Sequence, residues 1–266
     1  MWAITGRKVI WRGGLSVPWT RVATLDELDG ECLLPVNDDL YVGTSGAHLL
    51  RLRGNALENV AGFDAVDGRD SWYTPWGGPA DSRSMTFDRE QTLYVNVHVG
   101  GIIKSSDRGD SWQPSGLDIH SDAHQVLAGQ TDSNLIFAAA GRGLATSNDL
   151  GKSWNVDSEG MHSGYCRAVA ATSEHVLVSA SDGPNGRNSC LYRRRIGLAG
   201  PFEKCVRGLP DWFDENIDTG LLAADGRSAA FATPDGPVFA SDDDGSNWRV
   251  LDEGQPAINC LIIAHD

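Results

Sequence analysis

An eight-residue pattern, S-x-D-x-G-x-S-W, occurs at Ser105–Trp112 and again at Ser147–Trp154. Ser241–Trp248 repeats it with Asn247 for the second Ser, and Asp67–Trp72 is a worn copy that has lost the Gly. Each residue type suits a hairpin turn. Asp accepts hydrogen bonds from nearby backbone N–H groups, and Gly takes a positive φ. The Ser hydroxyl ties down a further turn group, and Trp lays a broad apolar face against the sheet. On this reading Asp107, Gly109, Trp112, Asp149, Gly151, Trp154, Asp243, Gly245 and Trp248 are structural.

The box tryptophans lie at 72, 112, 154 and 248, so the steps are 40, 42 and 94. A step of 94 is two periods of 47, and Phe202 fills the missing position; Trp19 adds one copy upstream. Six units of about 45 residues indicate a radial repeat. Each unit reads as four short strands, most clearly His124–Ala128, Asn134–Ala139, Gly143–Ser147 and Ser153–Val156. Second strands recur at residues 40–43, 93–97, 175–179 and 229–232. The N-terminal stretches 1–4, 8–11 and 19–22 read as strands two to four without a first. Residues 257–264 read as a first strand with nothing after it. The expected fold is therefore all-β, a six-bladed β-propeller of four-stranded blades in one domain, 1–266, closed by 257–264 joining the N-terminal three strands.

Composition narrows the function classes. The 266-residue chain carries a net charge of −14, which disfavours nucleic acid and anionic membranes as partners. No apolar run approaches ~18 residues, and the N-terminus lacks the basic-then-apolar order of a signal peptide, so a cytoplasmic protein is expected. Five cysteines without C-x-x-C spacing (Cys32, Cys166, Cys190, Cys205, Cys260) argue against a zinc site and a disulfide framework. A Cys190–Cys205 pairing across a hairpin stays open beside buried free thiols. No cofactor is expected.

At these boxes the chain resembles the Asp-box (BNR) repeat β-propellers, a superfamily that includes sialidases, xyloglucanase-like glycosidases, the sortilin ectodomain and propellers similar to photosystem assembly factors. The resemblance covers nearly the whole chain as a repeat pattern. It implies the propeller fold, and it leaves function open between glycosidase, receptor and assembly factor. Sialidases carry an early Arg-Ile-Pro motif, for which Ile10-Trp11-Arg12 is a poor substitute. Ordinary sialidase activity is not expected.

If the boxes mark one face, a site belongs on the other, built from the loops leading into the first strands and from the turns between strands two and three. Arg83, His124, Arg167 and Asp218 align at the starts of inner strands. Arg83 and Arg167 suit a carboxylate or phosphate, with Tyr165 beside them. His124 or His98 suits a general acid or base, with Asp218 to orient it, and Trp76 and Trp212 suit stacking on a flat ligand. The leading reading is glycoside processing, hydrolase- or lyase-like, on an acidic sugar. The alternatives are a non-catalytic propeller that binds a ligand or a protein, and a metal-dependent enzyme using His98, His120, His124 and His162. Mutual neutralisation of Arg and Asp would be the structural explanation of the same residues.

Overall fold

The computed structural model describes residues 1–129, 134–234, 236–254 and 257–264. It divides into two compact units, Met1–His120 and Ser121–Asp266. Among the described residues there are six antiparallel sheets, three in each unit, taken up in chain order. The first unit holds Trp2–Thr5, Val9–Arg12 and Thr20–Thr24; then Gly30–Val36, Asp39–Thr44, Leu49–Arg53 and Ala56–Asn59; then Asp81–Phe87, Leu93–His98, Gly101–Ser105 and Gln113–Pro114. The second holds Ala123–Ala128, Ile136–Ala140, Gly143–Ser147 and Asn155–Asp157; then Tyr165–Ala171, His175–Ser181, Cys190–Arg195 and Glu203–Lys204; then Leu222–Asp225, Ser228–Ala232, Val238–Ser241 and Arg249–Asp252. Six sheets match the six units expected from the repeat. Among the described residues no helix is long and apolar enough to cross a membrane.

The second strands of the sheets are the most buried because both of their faces carry apolar side chains. Ile136–Ala140 is buried throughout, and so is Leu93–His98. Within the second unit, Phe137, Leu144, Val169, Val178 and Tyr192 form one core layer. Leu177, Leu191, Ile217, Phe231 and Trp248 form another. In the first unit Phe63 fills the corresponding role, with its ring edge-on to Trp112 at 5.2 Å.

The repeated turns join strands three and four of their sheets, where the sequence places them. Asp107 accepts from the Ser105 hydroxyl (2.7 Å), the Ser111 amide (2.9 Å) and the Ser111 hydroxyl (2.5 Å). Asp149 repeats this with Ser147 and Ser153, and Asp243 does so with Ser241 and Asn247. The first Ser also accepts from the box Gly amide in all three. Two consecutive residues take positive φ in each turn: Arg108 and Gly109, Leu150 and Gly151, Asp244 and Gly245. A non-glycine residue held left-handed costs about 1–2 kcal/mol, and the carboxylate network offsets it. These hydrogen bonds, led by that from the Ser111 hydroxyl, hold the Asp107 carboxyl down at about 2. Partial desolvation opposes the shift at Asp243, yet the Asn247 and Ser241 hydrogen bonds still bring it to about 2.

Two sequence expectations are corrected. Residues 257–264 form no strand, and the N-terminal sheet has three strands. The backbone of that segment is committed elsewhere, with Ile258 N–H donating to Pro234 and Leu261 N–H to Gly220. The worn copy 67–72 is not a strand-three-to-four turn either. It forms a 3-10 turn, Arg69–Ser71, in the connection after Ala56–Asn59, with Trp72 packed near Phe63 at 6.0 Å. The turn at its expected place is the short Gly54–Asn55 link, which has no box.

Gly245→Ala would carry φ +75° and place its Cβ 2.8 Å from Leu177. It is expected to cost roughly 1–2 kcal/mol, read as a lower urea midpoint with unchanged slope. The lowered Asp107 and Asp243 carboxyls stabilise the fold fully above about pH 4, the ordinary carboxylate value, and that contribution disappears as pH falls through about 2. Urea midpoints at pH 5, 4, 3 and 2 are expected to drop across this window, and less steeply in Asp243→Asn.

Candidate functional site

The first strands of four successive sheets each carry a register shift near the start: between Gly30 and Cys32, Ser82 and Ser84, Ala123 and Gln125, and Cys166 and Val169. The residues inside these bulges are Glu31, Arg83, His124, and Arg167 with Ala168. A bulge re-aims one side chain out of the strand alternation. Arg83, His124 and Arg167, which the repeat alignment sets at the starts of inner strands, thus sit in bulges of those strands. Asp218 lies four residues before the next first strand, Leu222–Asp225, in the loop that leads into it.

In the second unit the structure brings His124, Tyr165, Arg167 and Asp218 together. Arg167 donates to both Asp218 oxygens, Nε to Oδ1 at 2.9 Å and Nη2 to Oδ2 at 2.6 Å, and its Nη1 donates to the Tyr165 hydroxyl at 3.1 Å. Burial would lower the Arg167 pKa, but the Asp218 hydrogen bonds outweigh it and raise the value above that of a free guanidinium. The His124 side chain is fully buried, with its ring 5.0 Å from Tyr165. Its Nδ1 lies 2.6 Å from the Cys166 carbonyl, which can only accept, so this nitrogen carries the proton. Its Nε2 lies 3.4 Å from Asp122. The Thr219 hydroxyl reaches the His124 and Arg167 carbonyls at 3.2 and 3.0 Å, tying the Asp218 loop to both first strands.

Trp212 and His162 form a separate group in this unit. Their rings are 4.7 Å apart, and the Lys204 ammonium sits 3.3 Å from the Trp212 ring centre. His162 meets the Tyr192 hydroxyl at 2.9 Å through Nδ1 and Asp182 at 3.6 Å through Nε2, and burial lowers its pKa. The long turn 182–188 is pinned to the 216 region. Asn216 donates to the Pro184 carbonyl and accepts from Ser181, and a Cβ on Gly186 would meet the Asn216 amide at 2.6 Å.

In the first unit Trp76 stacks on His98, with ring centres 5.4 Å apart and planes at 27°, and the Arg83 guanidinium lies 5.7 Å from the Trp76 ring. His98 is buried while Trp76 is 64% exposed. His120 lies beside Tyr73, Nδ1 to hydroxyl 3.5 Å. Sequence reasoning missed the group around Asp64, which meets His48 Nδ1 at 2.8 Å and Asn59 at 2.6 Å, with Arg69 at 3.6 Å. Arg69 also donates to the Ala47 and Gly46 carbonyls, so this group fastens the 60–71 connection to the turn before Leu49–Arg53. No local motif announces it, because its partners come from separate stretches of the chain.

All five cysteines are free, and Cys190 and Cys205 do not pair. Burial pushes the Cys166 and Cys205 thiols up to about 12 and Cys190 to about 11, so none of the three is a thiolate nucleophile near neutral pH.

No protein-family model matches the chain, and no curated protein matches it in sequence. Its structure is similar to that of an ancestral GH74 enzyme, with a TM-score of 0.69 at 13% identity, covering 95% of this chain and 38% of that one. It is also similar to a GH74 xyloglucanase from Xanthomonas campestris, with TM-score 0.55, 19% identity and coverage of 80% and 36%. A third similar structure is YCF48 bound to D1 peptide, with TM-score 0.55, 14% identity and coverage of 92% and 73%. The chain thus spans little more than a third of either GH74 protein and most of YCF48. At these identities the likeness is one of fold, and it supports a β-propeller.

Removing the Asp218 carboxylate leaves the half-buried Arg167 without its counter-ion. Asp218→Ala is expected to cost about 1–2 kcal/mol in a urea titration, and Arg167→Met with Asp218→Leu together is expected to recover most of that loss.

Proposed function

We propose that this chain is a non-catalytic six-bladed β-propeller, one domain over 1–266, that binds a ligand or partner on the face away from the repeated turns. One observation carries the reading: the residues suited to anion binding and acid–base chemistry in the second unit are satisfied by one another. Arg167 spends three of its five N–H groups on Asp218 and Tyr165, and its side-on Nε–Nη2 fork is filled by the Asp218 carboxylate. His124 has no exposed side-chain surface and gives its Nδ1 proton to a backbone carbonyl. A general acid or base must come within hydrogen-bond reach of the group it serves, and a fully buried ring bonded this way is poorly placed to do so.

The carboxylates available for glycosidase chemistry point the same way. A two-carboxylate hydrolase needs one acid and one base or nucleophile across the substrate. Asp218 faces Arg167 and Glu31 faces Arg7, so these two already have a basic partner within the protein. The fold likeness to GH74 enzymes is compatible with a glycoside-processing ancestor, but the side chains favour the binding alternative. YCF48, whose length this chain largely spans, was solved with a peptide bound, and a peptide or small ligand held without turnover suits the present geometry equally well.

The purified protein, incubated with chromogenic glycosides of neutral and acidic sugars from pH 4 to 8, is expected to release no product above the buffer rate. Turnover that disappears in Arg167→Ala or His124→Ala, with the fold intact by circular dichroism, would overturn the reading.

A further inference from the structure

All 36 acidic residues of this chain lie beyond residue 25. The first 25 carry Arg7, Lys8, Arg12 and Arg21, together with three of the nine tryptophans, Trp2, Trp11 and Trp19. These residues build the first sheet, and its two ends differ in charge. At one end Arg7 and Lys8 are neutralised by Asp29 and Glu31. At the other, the exposed Arg12 and Arg21 flank the link 13–19 from its two strands. Among the described residues neither has a carboxylate partner. Val9 pairs with Thr24, so the acids that start at Asp26 follow the end of the sheet away from this link.

The link joins the last two strands of its sheet, the place that the aspartate turns fill in three others. Its sequence, Gly-Gly-Leu-Ser-Val-Pro-Trp, has no carboxylate, and its apolar side chains face water. Leu15 is 77% exposed, Val17 61% and Trp19 44%, whereas Trp248 beside its aspartate turn is 5% exposed. The link is nonetheless held in shape. Gly13 N–H donates to the Met1 carbonyl at 3.1 Å, and Gly14 N–H donates to that of Val17 at 3.0 Å. A Cβ on Gly13 would come within 2.7 Å of the Trp19 indole, and one on Gly14 within 4 Å of both Val17 and Met1. Met1, Val17 and Trp19 thus stand together along the two glycines, next to Leu15.

We infer that this link is a docking tip for the surface of an anionic phospholipid bilayer. It is a second surface, independent of the ligand-binding reading above. Size disfavours a protein partner. At these exposures, four side chains of at most ~250 Å² offer well under the roughly 800 Å² per partner of a stable protein interface. Charge favours the lipid. A bilayer offers acyl chains to Leu15 and Val17, a headgroup layer to the Trp19 indole, and phosphate oxygens to Arg12 and Arg21. The net charge of −14 predicts the opposite, but it averages over the whole chain. At physiological ionic strength the screening length is about 8 Å, so arginines in the contact outweigh acids farther away.

The test is co-sedimentation of the full-length protein with vesicles of phosphatidylcholine and phosphatidylglycerol in equal parts, and with vesicles of phosphatidylcholine alone. Binding is expected to the first and not to the second. Leu15→Ser with Val17→Ser is expected to weaken it about tenfold through lost apolar insertion. Arg12→Gln with Arg21→Gln is expected to weaken it by a similar factor, about tenfold, through lost attraction to the lipid charge. Leu198→Ser, at an exposed apolar side chain of the second unit, is expected to leave it unchanged. The substituted side chains are all exposed, so each variant keeps the fold, as circular dichroism checks. Failure to sediment with the anionic vesicles, or equal sedimentation of either double variant, would overturn the inference. So would a concentration-dependent dimer, seen by ultracentrifugation without lipid, that Leu15→Ser with Val17→Ser dissolves, since the tip would then serve a second copy.

Discussion

A short-range exchange of hydrogen bonds governs this fold. In each of three turns one aspartate carboxylate collects a hydroxyl from two residues before it and both an amide and a side-chain donor from four residues after it. The result holds two successive residues left-handed, a conformation that only the glycine adopts cheaply. With the turn set, strands three and four of the sheet are in register, and the following Trp is delivered toward the core. The indole N–H groups of Trp112 and Trp248 close the motif on the carbonyls of Gly109 and Gly245. The conspicuous acids of this sequence are thus spent on folding.

The same economy extends to the polar residues at the starts of the inner strands. Bulges lift Arg83, His124 and Arg167 out of the regular alternation, which is how a sheet re-aims a side chain toward a site. In the second unit that opportunity is taken up internally. Arg167 and Asp218 neutralise each other, and Thr219 stitches their loop to two strands. The pair is half-buried, so its net stabilisation is small. It fixes the loop in one place.

The parts of the structure that were legible in the sequence are those determined by neighbours along the chain. The turns at Asp107, Asp149 and Asp243 depend on residues within eight positions, and their spacing led to the strand order of the sheets. The strand limits for the unit ending at Trp154 fall within a residue or two of those observed. Residues 257–264 read as a strand because their pattern is strand-like, but a strand exists only where a partner offers its edge, and their backbone bonds go to Gly220 and Pro234. The 67–72 copy misled for the opposite reason: its Asp and Trp keep the motif's spacing while the chain there makes a 3-10 turn. At the site, equivalence of position was readable and pairing was not. Arg167 and Asp218 lie 51 residues apart, so whether they hold a ligand or each other depends on loop geometry that no local pattern encodes.

The account stands or falls on whether the polar group of the second unit is closed to ligands. The most direct measurement is the nitrogen-15 spectrum of the Arg167 Nε–H and His124 Nδ1–H groups, followed in heavy water and during titration with galacturonate. The account predicts slow exchange of both protons and no shift on adding the sugar acid. Rapid exchange, or a saturable shift of either resonance with galacturonate, would contradict it.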